Sequence, residues 1–232
     1  MDQTLPADST QTDVENLVAG LNQQDDVDGI LVQLPLPEGM DEFSVVSAID
    51  PSKDADGLHP CNLGNLVLDR AGVAPATPRG ILTMLDHYDI PTWEALVVVV
   101  RRTFLVGRPL AIMLGLKGRD ATVVLGHSRT RDLAALTSEA DIPVAAVGRP
   151  LMFGPEHVKP GVTVIDVGIN CTDGGVVGDV DFGAVCEIAG AMTPVPGGGG
   201  AADRRQPAGE HRGGRRTAPG APFPTERTAT LQ

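Results

Sequence analysis

Long hydrophobic runs are missing from this 232-residue chain, although hydrophobic residues make up 42% of it. No stretch reaches the roughly 18 consecutive apolar residues that span a bilayer, so we expect no membrane segment. The opening MDQTLPADST is acidic, and it has neither the basic start nor the apolar centre of a secretory signal peptide. These absences predict a globular, cytoplasmic protein with one or two hydrophobic cores.

Cysteine and lysine are also scarce. The three cysteines, Cys61, Cys171 and Cys186, are odd in number and widely spaced, so the sequence predicts neither a disulfide framework nor a metal site. The net charge is −12, a balance that argues against binding to nucleic acid. Because salt screens the self-repulsion of an acidic protein, we hypothesise that this one works at high ionic strength.

Hydrophobic periodicity predicts an alternation of helices and strands. The predicted helices cover residues 12–22, 41–49, 77–88, 107–116 and 132–136, and the predicted strands cover residues 29–32, 95–100, 121–125, 144–147 and 162–167. Near-continuous runs of Val, Ile and Ala in the later strands are typical of a parallel sheet covered on both faces. The fold class is therefore α/β, with a doubly wound nucleotide-binding domain in the second half.

The segment that begins at Gly197 differs from the rest of the chain. It has almost no aliphatic residues and no periodicity, and from residue 201 it carries six arginines against three acids. Composition alone predicts that this tail is disordered.

Two polar clusters in the first half stand where α/β proteins place ligand-binding side chains. Gln33 follows a predicted strand and precedes the LPLP turn, which puts its amide at the carboxyl end of a sheet. Asp54 and Asp56 precede a glycine in the segment KDADG. From the residues alone, an ordinary strand end and an Asx-type turn are the alternatives to a binding site.

Residues 97–110, VVVVRRTFLVGRPL, are predicted to form a strand, a turn and a helix in that order. Backbone N–H groups and the helix dipole of such a unit hold a pyrophosphate. The Arg102 guanidinium can pair with a ribose 2′-phosphate. The next predicted strand ends at Ser128 and Arg129 rather than at an acid, which favours NADP over NAD.

Taken in order, the motifs of residues 12–198 resemble those of the bifunctional methylenetetrahydrofolate dehydrogenase/cyclohydrolase family. They are VENLVAGLNQQDDVDGILVQLPLP, KDADG, PATPRG, RRTFLVGRP, AAVGRP and VIDVGIN. The resemblance implies two α/β domains and homodimers. We expect the remnant of a folate-binding catalytic domain over residues 1–92, a Rossmann-type doubly wound NADP-binding domain over residues 93–193, and a family loop with an aberrant tail over residues 194–232.

The resemblance also implies roles for individual residues. Gln33 is expected to border the folate site and orient a catalytic lysine, and Asp56 is expected to contact the pterin ring through a two-point hydrogen bond. Substrate contacts are expected from Gln33, Leu34, Asp56, Pro196 and Gly197. Cofactor contacts are expected from Arg101, Arg102, Thr103, Gly107, Ser128, Arg129 and Ile169.

Three departures from the family pattern qualify these expectations. Arg101 stands at the first glycine position of the phosphate turn and Thr103 replaces a serine, so we expect a steric cost wherever φ is positive and weaker cofactor binding. The family's catalytic lysine, and a tyrosine four residues before it, lie upstream of the first motif and are not in this chain. We therefore expect cyclohydrolase activity to be absent or severely reduced.

The third departure is the sequence after Gly198, where the family continues PVPGGVGP into a final helix. We expect a frameshift there. The codons for Gly199 through Arg215, with suitable third bases, can be read one nucleotide later. The second base of each original codon then becomes the first base of a shifted codon, and the shifted frame spells VGPLTVASLLENTVAA. A natural basic tail is the alternative.

The function implied by the resemblance is NADP-dependent oxidation of 5,10-methylenetetrahydrofolate to the methenyl form, followed by hydrolysis to 10-formyltetrahydrofolate, in one-carbon metabolism. A catalytically silent NADP-binding fragment, or a pseudogene product, is the first alternative. A different Rossmann dehydrogenase is the second, and Gln33 with the LPLP turn and Asp56 disfavours it.

Overall fold

The computed structural model describes residues 2–6, 8–197 and 228–231. By its internal contacts the chain divides into a first unit, residues 1–76 with 206–232, and a second unit, residues 77–205. The division comes earlier than the predicted boundary at residue 92, because the helix that begins at Ala76 contributes its contacts to the second unit. The assignment of domains to residues 1–92 and 93–193 stays a prediction.

The first unit packs short helices against a small parallel sheet. Its helices are α1 (Gln11–Asn22), α2 (Glu42–Ser47) and α3 (Pro60–Val67), and its strands are β1 (Asp2–Gln3), β2 (Gly29–Val32) and β10 (Thr228–Leu231). Val14, Val18 and Leu21 recur along one face of α1 and pack, buried, with Ile30 and Val32 of β2. The period of the apolar residues therefore determines which face of α1 joins the core.

Strand β10 lies between β1 and β2 and runs parallel to both. Composition predicts an irregular tail here, and the structure differs because β2 offers unpaired backbone groups along its edge and because threonine suits a strand. The remainder of the tail, including the codons proposed to be frameshifted at Gly199 through Arg215, lies outside the described residues.

The second unit is built around a five-stranded parallel sheet in the order β4-β3-β5-β6-β9. Its helices are α4 (Ala76–His87), α5 (Gly107–Gly115), α6 (Leu133–Ser138) and α7 (Phe182–Val185). Its strands are β3 (Leu96–Val100), β4 (Thr122–Gly126), β5 (Ile142–Ala145), β6 (Thr163–Asp166), β7 (Asn170–Thr172), β8 (Gly175–Val177) and β9 (Ala191–Met192). The predicted α/β class and doubly wound sheet are confirmed.

Strand β3 is the centre of this sheet, and Val97 through Val100 are at most 1% exposed. The chain passes from β3 through α5 to β4 on one side, then returns through α6 to β5 on the other side. The carboxyl ends of β3 and β5 therefore flank the point where the strand order reverses, which is where open α/β sheets bind ligands.

Several elements differ from the predicted ones. Helix α3, helix α7 and the antiparallel hairpin of β7 and β8 are not predicted, since each of these elements is short. Strand β5 ends at Ala145, two residues before the predicted end, because the N–H of Val147 bonds to the Asp179 carboxylate. Within the described residues, no helix has both the length and the apolar character needed to cross a bilayer.

Candidate active site

In the first unit, the candidate site begins at the carboxyl end of β2. Gln33 is the first residue after this strand, and its side chain is exposed, with Nε2 donating to the Leu34 carbonyl at 3.1 Å. Leu34 is half-buried and packs against the core of the unit. Gln33 therefore exposes its amide, whereas Leu34 anchors the turn to the core of the unit.

The KDADG segment runs alongside β2 in parallel. The N–H of Ile30 donates to the Lys53 carbonyl at 2.7 Å, and the N–H of Ala55 donates to the Ile30 carbonyl at 3.2 Å. Since Ile30 pairs with Asp54, this register sets Asp56 level with Val32, one residue before Gln33. The structure thus brings the two predicted folate-side residues to the same end of β2.

Asp54 and Asp56 have different environments. Asp54 is buried, and its carboxylate accepts hydrogen bonds from the N–H groups of Gly57 and His59 and from Asn62 Nδ2, at 2.8 to 3.0 Å. It shapes the turn, as the turn interpretation expects. The carboxylate of Asp56 accepts no hydrogen bond from the described residues. Burial, and then the charge on Asp54, raise the pKa of Asp56.

In the second unit, the turn between β3 and α5 is shaped to receive an anion. No side chain caps the N-terminus of α5. The N–H groups of Arg108 and Leu110 donate to the Thr103 and Val106 carbonyls at 3.1 and 2.9 Å, so Gly107 supplies the first helical N–H that has no backbone acceptor among the described residues. A Cβ at Gly107 would clash with the Arg101 carbonyl, so only glycine permits this close approach. The Thr103 hydroxyl oxygen is buried and has no hydrogen-bond partner among the described residues. These features fit a dinucleotide pyrophosphate.

The steric cost expected of Arg101 is not found. Arg101 is not among the non-glycine residues with positive φ, so its backbone avoids the left-handed region that favours glycine. Its guanidinium donates from Nη1 to the Ala146 carbonyl at 2.9 Å and lies beside Gly148. The side chain therefore links the carboxyl ends of β3 and β5 without strain in the turn.

The loop after β4 presents the side chains of Ser128 and Arg129 at the surface, and Arg102 is exposed after β3. His127 stabilises this loop, because its Nδ1 accepts the N–H of Arg129 at 3.1 Å and its own N–H donates to Thr130 Oγ1 at 2.9 Å. Assignment of the exposed groups to a 2′-phosphate stays a prediction.

A cavity of about 530 Å³ lies within the second unit and contains three of the predicted site residues, Ile169, Pro196 and Gly197. Its lining is Thr77, Gly80, Ile81, Met84, Ile165, Asp166, Val167, Gly168, Ile169, Val176, Val195, Pro196 and Gly197. Ile169 lines this cavity and is 77% exposed. The cavity can enclose a planar organic group against mostly apolar walls.

The sequence interpretation gave no role to Asp166 and Asp179. Both are buried, and their carboxylates accept backbone N–H groups from the loops after β5 and β6. A signal for them was present in the sequence, since both acids stand in otherwise apolar segments, at the end of VID and in GDV. A carboxylate buried in such a segment requires hydrogen-bond donors, which indicates a structural role.

Sequence profiles of one family match both units. The profile of the tetrahydrofolate dehydrogenase/cyclohydrolase catalytic domain matches residues 1–56. The profile of the NAD(P)-binding domain of the same family matches residues 75–203. Together these profiles support a nicotinamide dinucleotide as the cofactor.

Curated relatives and solved structures agree with the profiles. The bifunctional protein FolD of Oleidesulfovibrio alaskensis is 48% identical over 196 residues, which are 84% of this chain and 68% of that protein. FolD of Lacticaseibacillus paracasei is 52% identical over 195 residues, again 84% of this chain and 68% of that protein.

Among solved structures, the bifunctional enzyme FolD of Campylobacter jejuni has a TM-score of 0.79 at 41% identity and covers 84% of this chain and 70% of its own. The Trypanosoma brucei enzyme, solved with NADP cofactor and an inhibitor, has a TM-score of 0.77 at 38% identity and covers 84% and 69%. The family expected from the motifs is confirmed: this chain belongs to the tetrahydrofolate dehydrogenase/cyclohydrolase family.

Proposed function

We propose that this protein oxidises 5,10-methylenetetrahydrofolate to 5,10-methenyltetrahydrofolate with NADP⁺, the first of the two activities of its family. The observation that carries the proposal is the cavity of the second unit, where Ile169, Pro196 and Gly197 meet at the carboxyl end of β6. Family resemblance predicted these three residues for the two partners of a hydride transfer, and they line one space.

Bound NADP⁺ would supply the hydride acceptor, and the residues of this chain would bind and orient the two reactants. The N-terminus of α5 would hold the pyrophosphate, with Gly107 permitting its approach. Arg102, Ser128 and Arg129 would hold the 2′-phosphate. The apolar walls around Ile169 would exclude water from the reacting carbon.

On the folate side, Asp56 would receive the pterin ring. Its carboxylate is free of hydrogen bonds from the described residues, so both oxygens are available for the two-point contact that an amidine-like edge offers. Gln33, at the same end of β2, would border the folate and orient the group that moves a proton during hydrolysis.

The second family activity is hydrolysis of the methenyl bridge, for which the resemblance implies a catalytic lysine upstream of the first motif, and the three lysines within residues 12–198 lie elsewhere. Lys53 donates to the Leu21, Asn22 and Gln24 carbonyls at the end of α1. Lys159 donates to Asp141 and to the Glu139 carbonyl. Lys117, the remaining lysine, follows α5 at the end of the helix opposite the phosphate turn.

The proposal is tested by mixing the full chain with 5,10-methylenetetrahydrofolate and NADP⁺ and following NADPH absorbance. NADPH formation that depends on both reactants supports the proposal. Binding of NADP⁺ without turnover would support the alternative of a catalytically silent NADP-binding fragment. A homodimer remains a prediction from the family and a cytoplasmic location a prediction from the sequence, and sedimentation analysis tests the first.

The choice of NADP over NAD is tested by Arg102→Ala. Loss of an exposed guanidinium that pairs with the 2′-phosphate should raise the KM for NADP⁺ about tenfold and leave the KM for NAD⁺ unchanged. Arg70→Ala is the matched control, since Arg70 is exposed in the first unit and no cofactor role is expected of it. An unchanged preference between the two cofactors in the Arg102 variant would contradict the assignment.

A further inference from the structure

Asp179 is fully buried in the second unit, yet no ligand contact is expected of it. It follows the hairpin of β7 and β8, and its carboxylate reaches back to the loop that leaves β5. The N–H groups of Val147, Gly148 and Arg149 donate to this carboxylate at 2.5, 2.9 and 2.9 Å. Three consecutive backbone N–H groups thus converge on one internal anion, as in an anion-binding nest.

The same loop is held from its other side. Arg101 Nη1 donates to the Ala146 carbonyl at 2.9 Å, so this loop carbonyl is bonded as well. Gly148 has a φ of +68°, a conformation that lets its N–H turn toward Asp179. The path of residues 146–149 is therefore determined by two side chains that come from distant parts of the sequence.

Asp179 also fixes the loop that leaves β6. Asn170 Nδ2 donates to Asp179 Oδ1 at 2.9 Å, and a Cβ at Gly168 would collide with the Asp179 carboxylate. Asp166 continues the network, accepting the N–H groups of Gly168 at 2.9 Å and of Asp179 at 3.0 Å. One buried carboxylate thus joins the loops that follow two neighbouring strands, β5 and β6.

We propose that Asp179 is the positioning residue of the cofactor site, an inference that rests on the proposed function. The two loops it joins lie at the carboxyl ends of β5 and β6, where ligands of open α/β sheets bind. Since its side chain is inaccessible, Asp179 acts through the loops and not by touching the cofactor. Loops ordered in advance need not lose conformational freedom when the cofactor binds, and this favours affinity.

The experiment is Asp179→Asn in the full chain, with NADP⁺ binding measured by calorimetry. Asparagine keeps the size of the side chain but directs an amide NH₂ at donors, so we expect NADP⁺ to bind about tenfold more weakly or worse. Asp181→Asn is the matched control, because Asp181 lies two residues away and caps α7 by accepting the N–H of Ala184 at 3.2 Å. We expect it to lower stability slightly and leave NADP⁺ affinity unchanged.

Hydrogen exchange of the unliganded wild type provides a second measurement that does not depend on the variant folding. The N–H groups of residues 147–149 should exchange slowly, and in Asp179→Asn they should exchange faster while β3 stays protected. Fast exchange of these three groups in the wild type would overturn the inference.

Equal losses of NADP⁺ affinity in the two aspartate variants, or wild-type affinity in Asp179→Asn, would also overturn it. A wild-type chain that binds no NADP⁺ would instead refute the proposed function, and with it the role of Asp179 in cofactor binding.

Discussion

The two units offer their polar groups to ligands in different ways. In the first unit, individual side chains face outward, and the Asp56 carboxylate is left without hydrogen bonds from the described residues. In the second unit, the candidate site consists largely of backbone turns and apolar walls, shaped by Gly107 and by the buried carboxylates of Asp166 and Asp179, which accept the loop N–H groups. A site made of side chains, such as Gln33 and Asp56, can be recognised from a short motif. A site made of backbone, such as the turn at Gly107, depends on residues that do not contact the ligand.

The largest effect is expected for Gly107→Ala, which disrupts the turn between β3 and α5. The added Cβ would collide with the Arg101 carbonyl, a backbone group that cannot rotate away. We expect the free energy of unfolding to fall by about 3 kcal/mol and NADP⁺ affinity to fall by about a hundredfold. Denaturant unfolding and calorimetric titration measure the two quantities.

The matched control for this change is Gly115→Ala in the same helix. Gly115 ends α5, and a Cβ there meets no heavy atom within 4 Å. This substitution should raise the free energy of unfolding by about 0.5 kcal/mol, because alanine loses less chain entropy on folding. Equal behaviour of the two alanine variants would show that close packing at Gly107 does not matter.

A smaller effect is expected for Asp56→Asn in the first unit, where stability should rise and folate affinity should fall. Burial and the charge on Asp54 raise the pKa of Asp56 above its ordinary value of 3.8. The folded state therefore binds this proton more tightly than the unfolded state does, so ionisation disfavours folding above the folded pKa. The disadvantage vanishes as the pH falls below the unfolded pKa.

Asp56→Asn should therefore stabilise the protein modestly near neutral pH and leave its stability unchanged at about pH 3. Folate affinity should fall about tenfold, since an amide cannot make the two-point contact of a carboxylate. Asp54→Asn is the contrasting variant and should destabilise, because three buried donors lose a charged acceptor. Urea unfolding across the pH range checks both, and a destabilised Asp56→Asn protein at neutral pH would contradict this account.

The smallest effect is expected at the ion pair of Arg119 and Asp86. Arg119 Nη2 donates to Asp86 Oδ2 at 2.6 Å and Nη1 contacts the other carboxylate oxygen, which ties α4 to the turn after α5. Because the Asp86 side chain is 55% exposed, Arg119→Ala should cost only about 0.5 kcal/mol, and less in high salt. A double-mutant cycle with Asp86→Asn measures the pair, and a loss that persists at high salt would contradict a surface interaction.

Elements with a clear apolar period could be predicted from the sequence almost to the residue. Helix α1 was expected over residues 12–22 and spans Gln11–Asn22, because Val14, Val18 and Leu21 recur on its buried face. Strand β2 matches its predicted range, since a short apolar run between turn residues admits little else.

Features that depend on distant partners could not be predicted. The sequence VAAV of residues 144–147 is apolar throughout, so nothing local indicates that β5 ends at Ala145. The bend is imposed by Asp179, which lies 32 residues beyond Val147. The prediction of steric strain at Arg101 was wrong for a related reason. The backbone of this turn follows a path that does not require positive φ at Arg101.

The parallel register of β10 has a practical consequence for protein engineering. Leu231 pairs with Val32, so β10 and β2 finish at the same end of the sheet, next to Gln33. A purification tag attached at this end of β10 would therefore start near Gln33, beside residues proposed to bind folate. Assays of this protein should accordingly use untagged material or a tag removed by a protease before measurement.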